Sequence, residues 1–125
     1  MDARARFTER IWELSERAER EVQSFDPPTD PPDEDQAMEF LREGAGPAIA
    51  LFCEARTGQH SIRFDPDAYN ALEDAMNDWL ELYAACYGVD LEPEYPLRKG
   101  AELLIDTENI KDVAVVLTRV PTDAN

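Results

Sequence analysis

Apolar residues recur every three or four positions along the first 25 residues of the chain, with polar residues between them. The repeating positions are Phe7, Ile11, Leu14, Ala18, Val22 and Phe25. This spacing places the six side chains on one stripe of an α-helix. It predicts a helical arm over residues 1–25, followed by an acidic, proline-rich connector over 26–35. A compact body over 36–121 and a short tail, 122–125, complete the predicted organisation.

The first part of the body is predicted to contain a short helix and a β-hairpin. The helix is expected to stop at Gly44, because glycine commonly follows the last residue of a helix. Residues 47–56 are almost continuously apolar, which favours a strand buried on both faces. A turn at residues 57–58 then leads into a return strand, which places His60 in or beside the turn.

A long amphipathic helix is predicted over residues 66–87. Asp65 is a good N-cap, Pro66 suits the first helical position, and Gly88 supplies the C-terminal stop. One arc of this helix is apolar and aromatic: Tyr69, Leu72, Met76, Trp79, Leu80, Tyr83 and Tyr87. Aromatic residues at helical spacing more often form a core than a ligand pocket, so this arc is predicted to be the packing face.

Two later segments, 101–107 and 112–120, are rich in Leu, Ile and Val. Because the β-branched residues Ile and Val favour strands, these segments are predicted to form a second hairpin. The expected fold is therefore α+β in the order α-α-ββ-α-ββ. Its four-stranded, largely antiparallel sheet would be packed by the long helix, with the N-terminal helix as an arm.

Charge is the strongest compositional signal. The chain has 12 basic and 28 acidic residues, a net charge of −16, and ten of its bases are arginines. Five arginines and six acids give residues 1–25 a charge of only −1, so the other 100 residues carry −15. Self-repulsion of this size is weakened by molar salt. The composition resembles that of cytoplasmic proteins from salt-loving archaea, which implies halophilic adaptation.

The same features set expectations about location and nucleic acids. The longest apolar run, Pro47–Cys53, is far shorter than the roughly 20 residues that cross a bilayer. The N-terminal residues lack the apolar segment of a signal peptide. A cytoplasmic protein without membrane contact is therefore predicted. Direct nucleic-acid binding is not expected, since no basic stripe exists. An acidic mimic of nucleic acid is an alternative, although the acids are scattered rather than concentrated.

No recognisable catalytic, metal-binding or cofactor-binding motif occurs in the sequence. We therefore predict no catalytic residue, metal or cofactor, and favour a non-catalytic interaction or regulatory protein that binds a protein partner or a second copy. The alternative is an enzyme or small-ligand binder. Its pocket would lie between the 66–87 helix and the sheet and would use Tyr83, Tyr87 or Cys86.

Trp12 is the residue that departs from the helical pattern. It lies about 140° around the first helix from Phe7, away from the apolar stripe. One explanation is a helix that is packed on two sides within the monomer. The other is an aromatic anchor for a partner or a second copy, because tryptophan is enriched among interface hot spots. The sequence leaves both explanations open and makes Trp12 the candidate partner-binding residue.

Overall fold

The structure, a computed structural model, describes residues 3–57 and 64–121. Its helices are α1 Ala3–Ser24, α2 Glu34–Phe40, α3 Gly46–Thr57, α4 Pro66–Cys86, α5 Leu97–Thr107 and α6 Ile110–Thr118. A π-helical segment, Leu41–Ala45, joins α2 to α3. The predicted α+β fold is wrong, because the described residues contain no strand and form an all-helical domain.

The predicted short helix is present as α2, and the two longer predicted helices are confirmed. The 66–87 helix is α4, whose N-cap Asp65 accepts a hydrogen bond from the Ala68 amide at 2.8 Å. Gly88 follows it with a φ of 79°, a left-handed conformation that suits glycine. The N-terminal helix is α1, which packs along α4. The buried residues include Ile11, Leu14 and Ala18 from α1, and Leu72, Met76, Trp79, Leu80 and Tyr83 from α4.

The predicted strand at 47–56 is instead the main part of α3. An apolar run is ambiguous between a buried strand and a buried helix. Here alanine, the best helix former, occurs three times, whereas Ile49 is the single β-branched residue. Helix α3 contacts α1, α4, α5 and the π-helical segment. This enclosure explains why most of its circumference is apolar.

The predicted second hairpin is also wrong, since its segments form α5 and α6. The Asn109 side chain caps α6 by accepting hydrogen bonds from the amides of Lys111 at 2.9 Å and Asp112 at 3.2 Å. Val113 and Ala114 are then buried within the helical core. Strand propensity depends strongly on context, so capping and burial outweigh the valine content of this segment.

Gly44 does not end a helix, contrary to the prediction. It lies within the π-helical segment, and a Cβ at this position would overlap the indole ring of Trp79. The glycine therefore permits close approach of the backbone to a large buried side chain. Helical structure continues through this segment into α3.

Two predicted regions lie outside the described residues. These are positions 58–63, which hold most of the first hairpin's return strand together with His60, and the tail at 122–125. Among the helices that the structure describes, none is long and apolar enough to cross a membrane.

Candidate functional site

Trp12 lies at the surface of α1 and is 44% exposed. The apolar stripe of the helix packs on α4, so the indole is not enclosed by the monomer. A shallow depression surrounds it, which we call the Trp12 surface. It is lined by Arg4, Ala5, Thr8, Glu9, Trp12 and Asp65. The arrangement offers an aromatic group, a guanidinium and two carboxylates to a contacting molecule.

The arginines of α1 have two different environments. Arg10 forms an exposed ion pair with Glu54 of α3 at 3.5 Å, and the Arg17 guanidinium lies 5.8 Å from the ring centroid of Trp79. These two side chains connect α1 to the rest of the domain. Arg4, in contrast, lines the Trp12 surface. Charge at this surface is therefore mixed, although the chain as a whole is strongly acidic.

The alternative ligand-binding residues belong to the interior of the domain. The Tyr83 side chain is buried and its hydroxyl donates to the Val120 carbonyl at 2.6 Å. The Tyr87 ring packs edge-on against it, with centroids 5.3 Å apart. Burial, and then the neighbouring Tyr87, raise the pKa of Tyr83 above its ordinary value. The expected pocket between helix and sheet does not exist in the described part of the chain, which lacks a sheet.

Cys86 is also buried, and it borders a small cavity of about 200 Å³ beside α1 and the connector. Burial, and then the charge of Asp33, raise the pKa of the Cys86 thiol to about 11. Because the thiolate is the reactive form, this thiol is a poor nucleophile near neutral pH. Cys86 and Cys53 do not form a disulfide.

An acidic cleft of about 460 Å³ separates α4 from the segment that precedes α5. It is lined by Glu19, Glu73, Asp74, Asn77, Asp78, Pro93 and Glu94. Burial is the largest cause that raises the pKa of Asp78 to about 6, followed by the charges of Glu81, Asp74 and Glu19. Within residues 3–57 and 64–121, no group of three or more His, Cys, Asp or Glu side chains is placed to hold a metal ion.

Two residues of this cleft have a structural role that the sequence did not reveal. Asn77 is a polar residue of α4, yet it is only 9% exposed. Its amide donates to the Tyr95 carbonyl at 3.1 Å and accepts from the Tyr95 amide at 2.9 Å. Glu73 accepts from the Leu97 amide at 2.9 Å. Helix periodicity carries no signal for such bonds, because the partners lie 18 and 24 positions along the chain.

A second depression, the α3–α5 groove, has a volume of about 360 Å³. It is lined by Phe52, Cys53 and Arg56 of α3 and by Arg98, Ala101, Glu102 and Ile105 of α5. Gly100 allows the close approach of α5, since a Cβ there would meet the Met76 sulfur at 3.0 Å and Ile49 Cδ1 at 3.2 Å. The sequence did not indicate this groove, because both of its walls were predicted to be strands.

The fold and these surfaces define a small, all-helical domain with an exposed tryptophan and a mixed apolar and basic groove. The sequence profile of DUF8055, a domain of unknown function, matches residues 5–122. The chain therefore belongs to this family. No curated protein and no solved structure matches it significantly.

Proposed function

We propose that this chain is a non-catalytic protein-interaction protein, and that the Trp12 surface contacts its partner. The observation that carries the proposal is the 44% exposure of Trp12 on a helix whose apolar stripe is already packed. Tryptophan side chains at the centre of an interface frequently dominate its binding energy. An indole that is only half covered in the monomer has surface left for such a contact.

The charge distribution supports the same surface. Residues 1–25 carry a net charge of −1, whereas the remaining 100 carry −15. In a halophilic cytoplasm, which the composition favours, a partner protein would be acidic as well. Like charges that face each other across an interface are costly. The partner, or a second copy of the chain, would therefore meet less repulsion at α1 than at most other surfaces.

Substitution of Trp12 by alanine tests this proposal, with Val116→Ala as the matched control. Val116 is 53% exposed on α6, so its truncation also removes exposed apolar area, but from another part of the surface. We expect Trp12→Ala to weaken association by about 2 kcal/mol or more if the indole is a hot spot, and Val116→Ala to have little effect.

Association is measured in molar KCl in two ways. Sedimentation equilibrium detects self-association, and affinity capture with each immobilised variant compares the proteins recovered from the cells that produce the chain. Proteins that are retained by the wild type and Val116→Ala, and lost with Trp12→Ala, support the proposal. A fall in monomer stability with unaltered association would refute it, because Trp12 would then be a packing residue.

A further inference from the structure

We infer that the α3–α5 groove binds a small amphiphilic carboxylate, a molecule with one carboxylate group and a short apolar tail. Among the described residues, none lines both this groove and the Trp12 surface. The inference therefore stands independently of the proposed protein-interaction function.

The apolar part of the groove suits the tail of such a ligand. Phe52 and Ala101 are each 6% exposed and form its floor. Ile105 lies at its edge and is 61% exposed, more than any other large hydrophobic side chain in the described residues. Covering this exposed surface with an apolar tail is favourable, because apolar area is removed from water on both molecules.

The basic part of the groove suits the carboxylate. Arg56 and Arg98 both line it, and neither forms an ion pair with a carboxylate of the described residues. Guanidinium groups bind carboxylates through paired, charge-assisted hydrogen bonds. The Arg56 guanidinium also lies 5.5 Å from the centroid of the Phe52 ring, an arrangement that favours a fixed position for the cation.

The carboxylate of the groove forms no ion pair with either arginine. Glu102 is the one acidic residue among the described residues that line the groove, and its oxygen lies 3.9 Å from the Lys99 ammonium. A ligand with a single negative charge also suits the surroundings better than a phosphate, which would bring additional negative charge to a chain of charge −16.

The dimensions favour a small molecule over a protein segment. A volume of about 360 Å³ lies near the lower end of the range for small-molecule pockets. Arg98 and Ile105 are seven residues apart on one helix, a separation of about 10 Å along its axis. This length accommodates a short acyl chain between the guanidinium groups and the isoleucine.

Cys53 is not expected to react covalently with a molecule in the groove. Burial raises the pKa of this thiol, and this effect exceeds the opposing effects of a backbone hydrogen bond and the Arg56 charge. The protonated thiol is a weak nucleophile. Cys53 therefore contributes to the apolar wall of the groove.

The first experiment is a titration of the full chain, in KCl that keeps it folded, with octanoate as the probe. Calorimetry measures the affinity, and amide chemical shifts in NMR spectra locate the site. Octan-1-ol has a similar tail without a charge, and octylammonium has the opposite charge. We expect saturable octanoate binding with shifts at α3 and α5. Octan-1-ol should bind about tenfold more weakly or worse, because charge-assisted hydrogen bonds are lost.

Three variants then test the assigned residues. Arg56→Gln and Arg98→Gln should each weaken octanoate binding about tenfold or more, and Ile105→Glu should abolish it by placing a negative charge at the edge. Arg42→Gln, an exposed arginine that does not line the groove, should leave the affinity unchanged. All four positions are exposed, so circular dichroism is expected to show intact folding.

Three results would overturn the inference. The first is the absence of saturable octanoate binding at millimolar concentration. The second is equal affinity for octanoate and octan-1-ol. The third is an octanoate affinity that neither Arg56→Gln nor Arg98→Gln changes. The Trp12→Ala variant distinguishes the two proposals, because it should bind octanoate with wild-type affinity.

Discussion

Replacement of Trp79 by alanine tests how strongly the interior of the domain depends on α4. The side chain is 1% exposed, and its ring centroid lies 5.9 Å from that of Phe40. A buried aromatic side chain removes about 150–250 Å² from water, which at about 25 cal/mol/Å² corresponds to about 4–6 kcal/mol. Alanine retains part of this burial but leaves a cavity. We therefore expect a loss of about 3–5 kcal/mol.

Packing accounts for this expected loss. The indole Nε1 is buried and has no hydrogen-bond partner among the described residues, so the substitution removes none of the hydrogen bonds described for the domain. A chain of 125 residues typically has a stability of about 6–19 kcal/mol. The loss is therefore a large fraction of the total, and the variant is expected to unfold at markedly lower denaturant concentration.

Urea unfolding, followed by far-ultraviolet circular dichroism, is the appropriate assay. Urea leaves the KCl concentration unchanged, whereas guanidinium chloride would also alter the screening of charge. With a slope of about 2 kcal/mol per molar urea, the midpoint should fall by about 1.5–2.5 M. Trp12→Ala is the control, and its expected cost is below about 1 kcal/mol because Trp12 is 44% exposed. A Trp79→Ala midpoint within about 0.5 M of the wild type would refute the packing argument.

Three further predictions follow from glycine packing, charge and titration. Gly44→Ala should cost about 1–3 kcal/mol, because the added Cβ would overlap Trp79; an unchanged urea midpoint would contradict this. The melting temperature should rise between dilute buffer and molar KCl as repulsion is screened, and an equal or lower value would remove the support for halophilic adaptation. The pKa of Asp78 is raised from 3.8 to about 6 in the folded protein, so the folded state binds more protons than the unfolded state between these pH values. The destabilisation of the fold by the Asp78 carboxylate therefore decreases as the pH falls through 6. Asp78→Asn should therefore be more stable than the wild type at pH 7, and thermal unfolding should show this advantage shrinking by pH 5; a constant difference would contradict the assigned pKa.

The sequence by itself determined the helices whose apolar pattern is long and clearly bounded. Over α1 the spacing of three and four residues continues from Phe7 to Val22, about four turns, and two Pro-Pro pairs follow the helix. Over α4 an N-cap, a first-turn proline and a terminal glycine agree with the aromatic stripe. Several local signals favour a helix in these two segments, and the tertiary contacts favour the same structure.

Only the tertiary structure decided the helical form of three segments, α3, α5 and α6. In α3, α5 and α6, short apolar or valine-rich segments are compatible with either a strand or a helix, because local preferences amount to about 1 kcal/mol or less per residue. Burial among neighbouring helices is worth more and selects the helical form. The roles of Gly44 and Gly100 also depend on tertiary packing. Each position requires a glycine because a side chain from another helix lies against its backbone, and this contact is visible only in the folded structure.

Of the two candidate surfaces, one could be predicted from the sequence and the other could not. Trp12 could be identified from the sequence because its departure from the stripe is a property of a single helix. The α3–α5 groove could not, since Arg56 and Arg98 are 42 positions apart in the chain and line one groove only after two helices have packed. A surface on one regular element is determined by local periodicity, whereas a groove between elements is determined by the packing that brings them together.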